Sequence, residues 1–220
     1  MRTAVITGGP GIDPAPAACI CGGCDKVFCA DSGVDLAVRA GIKIDKVFGD
    51  MDSISPEGRQ FISDNNIPCE IYPVDKDYTD TEIALSKVPE DDEIVLVCSL
   101  GGRPDHLLAI INLCLRLRRE GREITATDGI SDIFFLSGKD YISVEGVIDP
   151  VGLAVSLINP NPDTTAKNVT AKGLSYDVEN AEIPFGYGHF NSNSIKEGND
   201  SFSVSSEEGE LIVVVTLKGQ

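Results

Sequence analysis

Short apolar runs alternate with amphipathic segments over roughly the first 140 residues. Runs such as KVFCA at 26–30 and EIVLVC at 93–98 have the continuous apolar pattern of buried strands. Helical patterns follow them at 34–40 and from GGRPDH to about residue 120. Strands that alternate with helices through short connections predict a doubly wound, mostly parallel sheet with helices on both faces. The other predicted strands are 2–7, 46–48, 68–72 and 123–127, and the other predicted helices are 56–65 and 79–87.

The helical periodicity stops near residue 140, and short β-rich runs separated by turn residues follow. Such a pattern is typical of an antiparallel β-sandwich. We therefore predict an α/β domain at 1–138 and a C-terminal antiparallel β-sandwich domain at 139–220. The predicted strands of the second domain are 141–147, 153–158, 168–174, 202–206 and 210–217.

Composition and charge narrow the possible partners. The chain of 220 residues carries 18 basic and 35 acidic side chains, a net charge of −17. Such a chain is repelled by nucleic acids and anionic membranes, so we expect neither as a partner. The apolar run LIVVVTL at 211–217 is far too short to span a bilayer. The first residues have the pattern of a strand, and the odd number of cysteines, seven, indicates free thiols. We therefore expect a cytoplasmic protein.

The first candidate site is the acidic segment GDMDS at 49–53, directly after a predicted strand. Residues i and i+2 of an extended segment point the same way, so Asp50 and Asp52 would project together from the carboxyl end of the strand. Ligands of open α/β sheets bind at that edge. Mg²⁺ commonly takes one or two carboxylates together with substrate phosphates. The alternative is a solvated, Asp-rich turn.

The second candidate is the acidic segment at 74–82, which leads into a predicted helix. A capped helix explains much of it, with Asp77 or Thr79 as the N-cap and acids in the first turn. It does not explain Lys76, because a cation near a helix N-terminus is unfavourable unless an anion binds there. A phosphate group would satisfy both the helix and the lysine.

The third candidate is LGGRPDH at 100–106, again between a buried strand and a helix. Its glycines permit close approach of the backbone to a ligand, and Arg103 would stand at the positive helix end. The alternative is that Arg103 pairs with Asp105. Because the three segments would converge on one edge of the sheet, acids for Mg²⁺ and cations for phosphates indicate Mg-nucleotide chemistry.

The segments ADSGVDLAVRAGIKIDKVFGDMDSIS, DKDYTDTEIAL and GGRPDH, in this order, closely resemble the thiamin pyrophosphokinase family. The later stretch GLSYDVENAEIPFGYGHFNSNS resembles the small β domain of the same family. The resemblance implies an α/β nucleotide-binding domain, a β-sandwich domain and a homodimer. It also implies transfer of a diphosphate from ATP to the hydroxyl of thiamin, with release of AMP.

The resemblance also implies roles for particular residues. Asp50, Asp52 and Asp80 match the metal-binding acids for Mg²⁺, and together with Arg103 they form the expected catalytic set. In the β domain, the thiamin site is expected to include Tyr176, Ser192 and Asn193, with a partner subunit completing the pocket. The expected ATP-binding residues are Asp31, Lys76, Asp77, Thr79, Arg103 and Asp105.

The residues by themselves leave two other classes open. A Mg²⁺-dependent phosphohydrolase or nucleotidyltransferase also uses paired carboxylates and would act on a nucleotide without thiamin. A non-enzymatic β-rich binding module would have no Mg²⁺-dependent affinity for ATP.

Overall fold

The computed structural model describes residues 1–9, 11–147 and 152–218. The chain divides into two compact units, Met1–Gly129 and Ile130–Gln220. Each unit is built around its own cluster of buried apolar side chains. Among the described residues, no helix is both long and apolar enough to cross a bilayer.

The first unit contains parallel strands in the order β4-β3-β2-β1-β5-β6. The chain adds β2, β3 and β4 outward on one side of β1 and then crosses to add β5 and β6 on the other. This reversal is the topology of a doubly wound sheet, whose ligands bind at the carboxyl ends of the strands. The strands are β1 (Arg2–Ile6), β2 (Lys26–Ala30), β3 (Lys46–Gly49), β4 (Cys69–Ile71), β5 (Glu93–Val97) and β6 (Ile124–Thr127).

Helices cover both faces of this sheet, which explains why its central strands are apolar on both sides. Alternate residues of β1 and β2 pack against α1 and α2 on one face, and the partly buried Phe61 of α3 packs against the same cluster. The helix α4 packs against β1, β2 and β3. The helices are α1 (Pro14–Gly22), α2 (Gly33–Ala40), α3 (Pro56–Asp64), α4 (Asp80–Ser86) and α5 (Pro104–Arg119).

The second unit is antiparallel throughout its described pairings. Its strands lie in two layers, one with the order β7-β13-β9 and the other with the order β11-β10-β12-β8. Buried residues of both sheets, among them Leu157, Val169, Val204 and Val213, form one apolar cluster, as in a β-sandwich. The strands are β7 (Asp132–Ser137), β8 (Asp140–Val144), β9 (Leu153–Ile158), β10 (Ala166–Lys172), β11 (Val178–Ile183), β12 (Phe202–Ser206) and β13 (Glu210–Leu217).

The predicted fold class is confirmed: a doubly wound α/β unit precedes an antiparallel β unit. The segment 130–138, which the sequence analysis placed in the first domain, belongs to the second compact unit. The reason is that β7 within it pairs with β13 from Asp132 to Ser137. The sequence analysis also missed the helix α1 and the strands β7 and β11.

Candidate active site

Three carboxylates meet at the carboxyl edge of the parallel sheet. Asp31 directly follows β2, Asp50 directly follows the adjacent strand β3, and Asp80 begins α4. One oxygen of each side chain lies within 4.8 Å of the others. We call these residues the carboxylate trio.

The backbone near the trio leaves little room for larger residues. Gly49 has a φ of +136°, and a Cβ atom there would stand 2.9 Å from Asp80 Oδ1 and 3.3 Å from Asp31 Cβ. A Cβ atom on Gly33 would stand 2.2 Å from the carbonyl oxygen of Ile6. Real Cβ atoms do not approach so closely, so glycine at both positions lets the acidic loops approach β1 and α4.

Lys76 is the cation of the site. Its Nζ atom lies 3.0 Å from Asp80 Oδ1 and 3.2 Å from Asp50 Oδ2, and the side chain is only 12% exposed. Burial opposes its charged form, but hydrogen bonds and charges from Asp80 and Asp50 outweigh burial and raise the pKa of Lys76. The backbone N–H of Asp52 and the ammonium of Lys76 lower the pKa of Asp50.

The pKa of Asp31 is shifted in the opposite direction to that of Asp50. Desolvation by burial raises its pKa, and the nearby charges of Asp80 and Asp50 add to that rise. Its Oδ1 atom is buried without a hydrogen-bond partner, whereas the buried Oδ1 of Asp80 has the Lys76 ammonium 3.0 Å away as its charge partner. Buried acceptors without donors are costly.

The unsatisfied Oδ1 atom of Asp31 tests whether a divalent cation fits this site. All candidate ligand atoms of the trio are carboxylate oxygens, which are the hard donors that Mg²⁺ prefers. A cation held among them would supply the missing partner of the buried Asp31 Oδ1 and relieve the repulsion between the acids. The residues therefore fit a magnesium ion.

Asp52 does not join the trio. Met51 between the two predicted ligands has a left-handed φ of +66°, so the segment is not extended, and the premise that Asp50 and Asp52 point the same way is wrong. The Asp52 side chain is exposed and accepts a hydrogen bond from Ser53 Oγ at 2.8 Å. Its role as a metal ligand stays a prediction. Asp31, predicted only as an ATP-binding residue, is the carboxylate that the structure brings to Asp50 and Asp80.

Thr79 is the N-cap of α4. Its Oγ1 accepts the backbone N–H of Glu82 at 3.2 Å, while Glu82 Oε2 accepts the backbone N–H of Thr79 at 3.0 Å, which forms a capping box. Asp77 is exposed. Because Lys76 already has carboxylate partners, the sequence argument that it needs an anion does not hold. Contact of these three residues with ATP phosphates stays a prediction.

Arg103 and Asp105 pair with each other at the start of α5. Arg103 Nη2 donates to Asp105 Oδ2 at 2.6 Å, and Nε donates to Oδ1 at 3.2 Å. Hydrogen bonding from Arg103 lowers the pKa of Asp105 to about 2. This is the pairing that the sequence analysis held as the alternative. Both side chains are largely exposed, so a nucleotide could still reach them.

In the second unit, Asn193 holds the backbone of Tyr176. Asn193 Oδ1 accepts the Tyr176 N–H at 3.2 Å, and Asn193 Nδ2 donates to the Tyr176 carbonyl at 2.7 Å. The backbone of Asn193 pairs with Val155 through two hydrogen bonds of 2.9 Å. Tyr176 is 78% exposed, and Ser192 is exposed with a φ of +59°. The amide of Asn193 is thus occupied, whereas Tyr176 and Ser192 face solvent.

Comparison with known proteins gives two family matches. Residues 20–126 match the thiamin pyrophosphokinase catalytic domain, and residues 153–211 match the thiamin pyrophosphokinase vitamin B1 binding domain. Thiamine pyrophosphokinase of Bacillus subtilis is 27% identical over 186 residues, 84% of each chain. Thiamine pyrophosphokinase 1 of Oryza sativa is 29% identical over 221 residues, 91% of this chain and 78% of that protein.

Solved structures agree with these matches. A thiamin pyrophosphokinase family protein from Enterococcus faecalis superposes with a TM-score of 0.75 at 26% identity, covering all of both chains. The thiamine pyrophosphokinase structure from Bacillus subtilis gives a TM-score of 0.80 at 24% identity, also over both full chains, which shows the shared fold.

Fold and site together define the class: a two-domain enzyme with a doubly wound α/β unit, an acidic site at its strand ends and a β-sandwich unit. The family matches fall on both units, and the relatives match over most of their length. The chain belongs to the thiamin pyrophosphokinase family, which makes it a transferase.

Proposed function

We propose that the chain transfers a diphosphate group from ATP to the hydroxyl of thiamin, giving thiamin diphosphate and AMP. The observation that carries the proposal is the carboxylate trio with the unsatisfied Oδ1 atom of Asp31, inside the segment that matches the family's catalytic domain. A site with this many acids needs a cation, and nucleotide phosphates arrive with one.

The residues of the α/β unit would position the reacting groups. Asp31, Asp50 and Asp80 would hold Mg²⁺, which supplies charge neutralisation of the phosphates when bound. Lys76 contacts two acids of the trio and Arg103 is the N-cap of α5, and both would bind phosphate oxygens. Attack of the thiamin hydroxyl on the β-phosphorus, with AMP leaving on the opposite side, then depends mainly on alignment and charge.

The second unit would bind thiamin. The exposed ring of Tyr176, held by Asn193, offers an aromatic face for a flat cationic heterocycle, and Ser192 offers a hydroxyl beside it. A net charge of −17 also favours a cationic substrate. We propose a homodimer in which the partner subunit completes this pocket, and a cytoplasmic location, which suits the free cysteine thiols.

The test is release of AMP from Mg-ATP with and without thiamin, measured by chromatography together with thiamin diphosphate. We expect equal amounts of both products, formed only when thiamin and Mg²⁺ are present. Release of phosphate, or of a nucleotide without thiamin, would instead indicate a phosphohydrolase or nucleotidyltransferase. Asp50→Asn serves as the inactive control, and a size measurement in solution tests the dimer.

A further inference from the structure

Lys76 occupies the position of a cation among the carboxylates. Its ammonium contacts Asp50 and Asp80, two members of the trio, and it is almost entirely withdrawn from solvent. A cation bound by the trio would compete with Lys76 for the same two carboxylates. An ammonium and a divalent ion that share two carboxylates at contact distance repel each other strongly, because both are partly desolvated.

We infer that Lys76 is a resident counter-ion that the metal displaces and that the nucleotide phosphates then accept. This inference rests on the proposed function and adds to it that metal binding and nucleotide binding are coupled. A free metal ion must break two ion pairs of Lys76 and leave a poorly exposed ammonium without a partner. A metal ion that arrives with a nucleotide brings phosphate oxygens for that ammonium. Metal and nucleotide therefore favour each other's binding.

The surroundings of Lys76 favour displacement of its ammonium by the metal over sharing of the carboxylates between the two cations. The lysine lies in the connection between β4 and α4, outside regular structure, and its long stem can move the ammonium by several ångströms. The flanking residues Asp75 and Asp77 are acidic and exposed, so the freed ammonium has no competing cation beside it in the sequence. The ammonium can therefore reorient while the negative charges of Asp75 and Asp77 still favour it.

The first experiment is titration of the protein with Mn²⁺ by calorimetry in the absence of nucleotide. Lys76→Met keeps the length of the side chain and removes the charge, so the trio no longer has an internal competitor. We expect Lys76→Met to bind Mn²⁺ at least about fivefold more tightly than the wild type. Lys46→Met is the matched control, because it removes a lysine of the same unit that pairs with Glu70 instead. It should bind Mn²⁺ like the wild type.

The second experiment follows the lysine itself in the wild-type protein. Acetylation of Lys76 by a soluble acylating reagent is quantified by mass spectrometry. We expect slow labelling without metal, faster labelling with Mn²⁺, and renewed protection when a non-hydrolysable ATP analogue is added. A labelling rate that Mn²⁺ does not change would overturn the inference.

A further variant separates this inference from the proposed function. If Asp31→Asn abolishes Mn²⁺ binding while Lys76→Met binds no more tightly than the wild type, the site stands and the counter-ion role of Lys76 is wrong. If Asp31→Asn leaves Mn²⁺ binding unchanged, the metal assignment itself is wrong. Thermal melting of each variant shows that it is folded.

Discussion

The contact between Asn193 and Tyr176 leads to a prediction that separates positioning from direct binding. Asn193→Ala removes the two hydrogen bonds to the Tyr176 backbone and a third, in which Oδ1 accepts the Ser194 N–H at 2.8 Å. A net hydrogen bond contributes about 0.5–1.5 kcal/mol. Because Asn193 is only half-buried, we take the lower part of that range, about 1.5–2 kcal/mol in total.

The expected stability change is a fall of about 3–8 °C in Tm, since 1 kcal/mol corresponds to about 2–4 °C in a chain of this size. Asn191→Ala, two residues away on an exposed side chain, should melt like the wild type. If the same energy orders the Tyr176 segment for thiamin, kcat/KM for thiamin should fall about tenfold. The affinity for Mg-ATP, measured by calorimetry, should not change.

A double-mutant cycle distinguishes the two roles of Asn193. If Asn193 acts by holding Tyr176, then Asn193→Ala should cost little kcat/KM for thiamin once Tyr176→Ala has already removed the ring. Independent, additive losses in the two single variants would refute positioning and indicate that the Asn193 amide contacts thiamin directly.

Three further variants test the α/β unit. Asp31→Asn should raise Tm by about 2–4 °C, because it relieves about 1 kcal/mol of carboxylate repulsion. The same variant should abolish Mg²⁺-dependent AMP release. A lower Tm in thermal melting would contradict the expected gain in stability. Gly33→Ala should lower stability in urea by about 2 kcal/mol or more, because the new Cβ meets the Ile6 carbonyl at 2.2 Å. Hydrogen bonds from Lys46, Lys87 and Tyr72 lower the pKa of Glu70 from its ordinary 4.5 to about 2. The ionised Glu70 therefore stabilises the fold fully above pH 4.5, and this stabilisation is lost as pH falls through about 2. Glu70→Gln should therefore lower Tm at pH 7, and its difference from the wild type should shrink between about pH 4.5 and pH 2.

The regular elements were predictable where apolar periodicity and turn residues agree. The bounds of β2, β9, β12 and β13 match the predicted ranges. β2, β9 and β13 are compact, largely apolar runs, and β12 alternates buried and partly exposed residues. The helix α1 was missed because its sequence PAPAACICG is apolar on every side and shows no amphipathic face. The strand β11 was missed because half of its sequence VENAEI is polar and does not alternate regularly with the apolar residues, and it lies at the edge of its sheet.

The cations of the site show what sequence reasoning lacks. A lysine and an arginine near helix starts were interpreted as anion ligands, although the pairing of Arg103 with Asp105 was held as the alternative; the carboxylate partners of Lys76 were not recognised. In the structure, Lys76 pairs with Asp50 across 26 residues of chain, and Arg103 folds back onto Asp105. A helix dipole acts only weakly on a nearby side-chain charge, and the attraction of a carboxylate at contact distance outweighs it.

The composition of the carboxylate trio follows from backbone conformation rather than from spacing. A strand that continued through Met51 would keep Asp50 and Asp52 on one side, but the left-handed φ of Met51 turns the chain and separates them. Asp31 also has a left-handed φ, +45°, immediately after the neighbouring strand β2. Two strand ends that turn at the same edge therefore bring one acid each to Asp80, so the site combines distant residues where the sequence indicated adjacent ones.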